Sequence, residues 1–117
     1  MCIRYAVQAT VNSTVIAPGR VRLCGVFFTL QPTGSQRALR LYDMNSAPIN
    51  TDTPVMTLNP PGSGIAFPST MLVFTEPLCF QNGCAIRYTG GFPDNDTTPT
   101  AVVDGWVHFL FSENLTV

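Results

Sequence analysis

The chain has 117 residues, a net charge of −1 and only 11% ionic residues, where a soluble domain carries about 25%. Six arginines, no lysine and seven acids, scattered along the sequence, exclude the clustered basic field that a nucleic-acid partner requires. Apolar runs such as Met71-Leu72-Val73-Phe74 fall far short of the roughly 18 residues that span a bilayer as a helix.

One domain, residues 1–117, is what this length accommodates, and an apolar share of 45% with eight Phe supplies its core material. Interface cores are depleted in Lys, Glu and Asp and keep Arg and aromatics, so the composition fits a surface largely covered by neighbouring chains. The N-terminus, Met1-Cys2-Ile3-Arg4-Tyr5-Ala6-Val7-Gln8, lacks the charged start, apolar stretch and cleavage site of a signal peptide. Synthesis and retention in the cytosol is the expectation that follows.

In chain order, short runs of alternating apolar and polar residues predict strands near 3–11, 21–30, 37–43, 53–58, 64–68, 70–75, 77–81, 84–89 and 100–111. Residues 1–18 are a possible N-terminal strand or arm used in assembly. Within 21–30, alternation puts Val21, Leu23, Gly25, Phe27 and Thr29 on one face and Arg22, Cys24, Val26, Phe28 and Leu30 on the other. Both sets are largely apolar, which places this strand centrally in its sheet. Ten prolines and nine glycines punctuate the intervals and leave no room for a long helix. The expected fold is therefore all-β, a single antiparallel β-sandwich or jelly roll of about eight strands. Gln81-Asn82-Gly83-Cys84 is the sharpest local signal, because Asn-Gly accepts the positive φ angles of a type I′ turn. It predicts a hairpin of 77–81 with 84–89. In the last run, Trp106, His108 and Leu110 share one face and Val107, Phe109 and Phe111 the other. Trp106, mid-strand among apolar residues, is expected in the core.

Few constellations could carry chemistry. In an Asn82-Gly83 hairpin, Cys79 and Cys84 would lie diagonally, at roughly 7–8 Å between Cα atoms, beyond easy reach of an unstrained disulfide. As a zinc half-site the pair lacks a second pair of ligands, with Cys2 and Cys24 apart and one histidine in the chain. His108 has no Gly-x-Ser-x-Gly elbow or other recognisable nucleophile to serve, so it reads as a packing residue. Asp94-Asn95-Asp96 offers oxygen ligands but lacks the glycine and distal Glu of a calcium loop, and reads as a turn-rich loop tip. The Asn-x-Thr patterns at Asn12, Asn95 and Asn114 matter only in a secretory pathway. No enzyme, cofactor or metal is expected.

Taken together, Arg22-Leu23-Cys24-Gly25-Val26-Phe27, Leu39-Arg40-Leu41-Tyr42-Asp43 with Ser46-Ala47, Gly64-Ile65-Ala66-Phe67, and the run from Cys79 through Asn82-Gly83 to Gly90-Gly91 resemble the small β-sandwich proteins that coat or cement the heads of tailed bacteriophages. The resemblance spans roughly residues 19–111 and rests on strand-and-turn patterns. It implies a virion component, assembled in the host cytoplasm, that clamps neighbouring major-capsid subunits or other virion proteins, often as a homotrimer. On this reading, Ile3, Arg4 and Tyr5 of an N-terminal segment able to extend a neighbour's sheet, and Phe92 and Asp94 of a loop, are candidate assembly contacts. Ordinary packing is the competing reading for Tyr5 and Phe92. The alternative function is a phage fibre, tail or lectin-like sandwich that binds a receptor or glycan.

Overall fold

The computed structural model describes residues 2–8, 13–30, 38–58, 69–91, 93–97 and 105–112. Among them are eight strands: β1 (Cys2–Gln8), β2 (Ser13–Pro18), β3 (Val21–Leu30), β4 (Ala38–Asp43), β5 (Met56–Leu58), β6 (Ser69–Phe80), β7 (Gly83–Thr89) and β8 (Gly105–Ser112). They form two four-stranded antiparallel sheets, sheet A in the order β1-β8-β3-β6 and sheet B in the order β2-β7-β4-β5. The protein is a β-sandwich.

Its wiring follows one rule. The first strand pairs with the eighth, the second with the seventh, the third with the sixth and the fourth with the fifth. The chain is thus one long antiparallel ribbon, rolled so that β8 also meets β3 and β7 also meets β4. That is the jelly-roll arrangement of two sheets. The predicted strand 64–68 lies outside the described residues. The first predicted strand is realised as β1, and 53–58 shrinks to the three residues of β5. The strand β2 had no counterpart in the sequence reading.

Between β2/β7 and β3/β6 the ribbon passes from sheet B to sheet A at a tight corner. Only Gly19 and Arg20 separate β2 from β3, and only Gln81 and Asn82 separate β6 from β7. The two crossings lie side by side, with Pro18 opposite Gly83 and Val21 opposite Phe80, and Gly19 N–H donates to the Asn82 carbonyl at 3.1 Å. This corrects the predicted hairpin. Residues 77–81 pair with β3 in one sheet and 84–89 with β2 and β4 in the other, so the Asn-Gly bend serves a change of sheet. The Asp43 carboxylate caps it, accepting from Gln81 N–H at 3.2 Å and Asn82 N–H at 2.8 Å. Met44 N–H donates to the Gly83 carbonyl at 3.1 Å.

A second correction concerns the faces of β3. The register shifts between Leu23 and Gly25, and β6 carries the extra residues between Val73 and Leu78. A bulge there inverts the alternation. Val26 and Phe28 consequently join Val21 and Leu23 in the core, and Phe27 turns to the half-buried outer face. Residues 70–75 and 77–81, predicted as two strands, are one irregular strand. Glycine suits the bulge because a Cβ on Gly25 would stand 2.6 Å from the Leu72 carbonyl oxygen.

The core fills the space between the sheets with Leu23, Val26, Phe28, Phe80, Val107, Phe109 and Phe111 from sheet A and Ile16, Leu39, Leu41, Cys84, Ile86 and Tyr88 from sheet B. Large aliphatic and aromatic side chains interlock from both sides. Burial of this apolar area is what holds the layers together.

Candidate functional site

Every residue of β7 and nearly every residue of β4 is buried. A two-layer sandwich buries only one face of each sheet, so the second face of sheet B must have its own cover. Two arginines reveal what that cover is. Arg40 on β4 and Arg87 on β7 stand directly opposite each other in the register, on the face away from Leu39, Leu41, Ile86 and Tyr88. They are 0% and 4% exposed.

Like charges opposite each other in a sheet repel, and burial adds a desolvation cost unless each donor finds an acceptor. The connection after β7 provides the acceptors by folding back over the sheet. Arg40 Nη1 donates to Thr89 Oγ1 at 2.5 Å, and its Nη2 donates to the carbonyls of Gly91 at 2.7 Å and Pro93 at 2.5 Å. Arg87 Nη1 donates to the Asp94 carbonyl at 2.9 Å and to Tyr42 Oη at 3.3 Å, and its Nη2 donates to the Asp96 carbonyl. Two planar guanidinium forks therefore hold four backbone carbonyls of the loop, those of Gly91, Pro93, Asp94 and Asp96. Within the loop, Thr89 Oγ1 donates to the Gly91 carbonyl at 3.1 Å and Gly91 N–H donates to Asp96 Oδ2 at 3.0 Å.

In Asp94-Asn95-Asp96, expected as a turn-rich loop tip, the carbonyls of Asp94 and Asp96 accept from the Arg87 guanidinium. Asp94, a candidate assembly contact, is 63% exposed, with Oδ1 3.7 Å from Arg40 Nε. An ion pair with so wet a partner adds little stability, so the carboxylate is free to be presented outward by a loop whose backbone is fixed. Phe92 lies outside the described residues. Ile3, Arg4 and Tyr5 stand in β1, where they pair with Phe111, Leu110 and Phe109 of β8. The N-terminal segment is an edge strand of its own sheet, with its other edge outermost in the order.

The connection 44–55 also folds onto sheet B. Ser13 Oγ donates to the Pro48 carbonyl at 2.6 Å, and Val55 N–H to the Leu41 carbonyl at 2.8 Å. Its tip is braced by a reciprocal pair, Ile49 N–H to Asp52 Oδ2 at 2.8 Å and Asp52 N–H to the Ile49 carbonyl at 3.0 Å. The brace leaves Ile49 and Val55 exposed.

Cys79 and Cys84 are free thiols and are not bridged. Cys79 is exposed on β6 while Cys84 is buried at the start of β7, and burial, with the nearby Asp43 carboxylate, pushes its thiol up to about 12. Cys84 should therefore resist iodoacetamide in the native protein and Cys79 should react, as peptide mass spectrometry would read directly. Equal labelling would mean that the corner opens readily. The sign for stability follows. Keeping Cys84 protonated costs nothing below its ordinary value of 9.0, and stability falls as pH climbs from there toward about 12.

His108 is half-buried on the outer face of sheet A, its ring 5.7 Å from that of Phe27. Among the described residues no three His, Cys, Asp or Glu side chains gather as a metal site. The arginine clamp is what the sequence reading missed. Its signal was an arginine inside each of two apolar strands, Leu39-Arg40-Leu41 and Ile86-Arg87-Tyr88, but Arg22 sits in a similar run and is exposed. No family model matches this chain, and neither a curated protein nor a solved structure matches it.

Proposed function

We propose that this chain is a non-enzymatic structural subunit of a virion, a capsid decoration or cement protein that binds neighbouring major-capsid subunits and stabilises the shell. The observation that supports it is the rolled-ribbon strand order, an architecture used by viral shell proteins. A charge-poor surface and loops locked onto a rigid block agree with a molecule that works through contact area. Each contact is modest, and many copies on one shell add up through multivalency.

Lectins also use this architecture, and a glycan-binding sandwich is the alternative reading. The Trp106 backbone pairs with Gln8 and Thr29, and its side chain, expected in the core, lies outside what the structure describes.

Mass spectrometry of purified particles from the source that encodes the chain should find it in many copies per shell. Deleting its gene should give particles that open at lower temperature. A chain absent from particles, with the purified protein binding glycans as a monomer, would overturn the shell reading in favour of the second.

A further inference from the structure

Asn82-Gly83 has a second chemical property besides its turn preference. An asparagine that precedes glycine is open to attack by its own backbone, because the next residue has no side chain to bar its nitrogen from the asparagine amide carbon. Seven asparagines occur in the chain, and Asn82 alone precedes a glycine. Asn45, Asn50 and Asn95, exposed like Asn82, precede Ser46, Thr51 and Asp96.

From the geometry of the corner we infer that Asn82 is a self-modification site of the folded protein: the Gly83 nitrogen displaces its side-chain amide, and the product loosens the corner. Hydroxide removes the Gly83 amide proton, the nitrogen pair forms a bond to Asn82 Cγ, and the side-chain nitrogen leaves as ammonia with a proton from water. Water then opens the five-membered imide by breaking either C–N bond, which leaves an aspartate or an iso-aspartyl linkage one carbon longer. Three observations support reaction in the native fold. Asn82 is exposed, and among the described residues its side chain has no hydrogen-bond partner, so Cγ is free to turn. The bond from Gly19 N–H to the Asn82 carbonyl makes Pro18 and Gly83 a non-hydrogen-bonded pair, so the Gly83 N–H is not spent on β2. That same Gly19 N–H, at 3.1 Å, points at the oxygen on which the negative charge of the deprotonated peptide collects, and a donor so placed lowers the barrier. Two effects oppose. Gly83 is buried, which limits access of hydroxide, and the Asp43 carboxylate bonded to Asn82 N–H disfavours a second anion nearby. The carboxylate is at the surface, where salt screens it. Both effects slow the reaction, whereas a side chain on the following residue, as at Asn50, bars the approach itself.

The corner has no slack to absorb the product. The Met44 and Ala17 carbonyl oxygens stand 2.8 and 3.0 Å from where a Cβ on Gly83 would be, and the Asn82 N–H and carbonyl are both bonded, to Asp43 and Gly19. An extra backbone carbon between residues 82 and 83 displaces these partners, and a new carboxylate stands beside that of Asp43. Chemical ageing of the chain is thereby directed to the place where the two sheets are joined.

The inference does not depend on the shell reading, since it is tested on the purified chain and the shell on particles. Incubating the native protein in mildly alkaline buffer and mapping its peptides by mass spectrometry should show amide loss at Asn82 at least roughly tenfold faster than at Asn50, a barrier lower by about 1.4 kcal/mol. The converted fraction, separated by ion exchange, should melt about 4 °C or more below the fresh protein. Asn82→Ser keeps a bend-forming residue and should hold its melting temperature through the same incubation. Conversion at Asn82 no faster than at Asn50, conversion only after guanidinium has unfolded the chain, or a converted fraction that melts with the fresh protein would each overturn the inference. So would an equal loss of stability in Asn82→Ser, which would place the ageing elsewhere.

Discussion

Replacing Arg40 by Met should lower stability by about 3 kcal/mol and shift the melting temperature by roughly 12 °C or more. The estimate is a balance of opposing effects. Methionine removes a buried cation from beside Arg87, and exchanging buried ionic groups for apolar ones is neutral or favourable when nothing is left unpaired. Here something is left unpaired. Thr89 Oγ1 and the carbonyls of Gly91 and Pro93 lose their charged donor, at about 1.5–3 kcal/mol for each such bond. The lost bonds outweigh the relief. Lysine should restore little, because one ammonium cannot span three acceptors that a planar fork reaches at once. Urea unfolding would give the magnitude, and limited proteolysis would show new cleavage within 90–97. A variant as stable as the wild type and as resistant to protease would mean that the loop is held by something other than the guanidinium.

Gly83→Ala should cost about 4 kcal/mol, and Gly19→Ala only about 1 kcal/mol, although the two glycines flank the same corner. Gly83 has φ of 150° and Gly19 of 82°. Both conformations are strained for an L side chain, but the surroundings differ. A Cβ at Gly83 would meet the Met44 carbonyl oxygen at 2.8 Å and the Ala17 carbonyl oxygen at 3.0 Å, whereas a Cβ at Gly19 meets nothing within 4 Å. Backbone oxygens on either side cannot swing away as a side chain could. Separation of the crossing strands, or loss of the Met44 N–H to Gly83 carbonyl bond, is the remaining way to relieve the clash. Denaturation midpoints of the two variants would test the ranking, and equal costs would show that the corner is loosely packed.

Both predictions turn on features that the one-dimensional pattern signalled without specifying. Asn82-Gly83 announced a sharp bend with positive φ, and a positive-φ glycine is there. The hairpin inferred from it was wrong because φ preference is local, whereas the partner of each arm depends on the whole ribbon. Alternation in 21–30 located the strand and its central place in the sheet. It misassigned the second half of the faces, since one irregular step against β6 inverts every later side chain. The candidate contacts Ile3, Arg4 and Tyr5 lie in a strand expected from the alternation, and its partner is the far end of the same chain.

The sequence by itself determined the class of this protein: strands of period two, turns rich in Pro and Gly, and apolar residues enough for one core. These are properties of near neighbours along the chain, and composition and spacing report them faithfully. Only the tertiary structure decided that the ribbon rolls first strand to eighth, and that Arg40 and Arg87 are buried beneath a loop while Arg22 is exposed. The reason is that burial and pairing belong to residues brought together from tens of positions apart. An arginine in a strand looks the same in sequence whether the chain folds over it or leaves it in water.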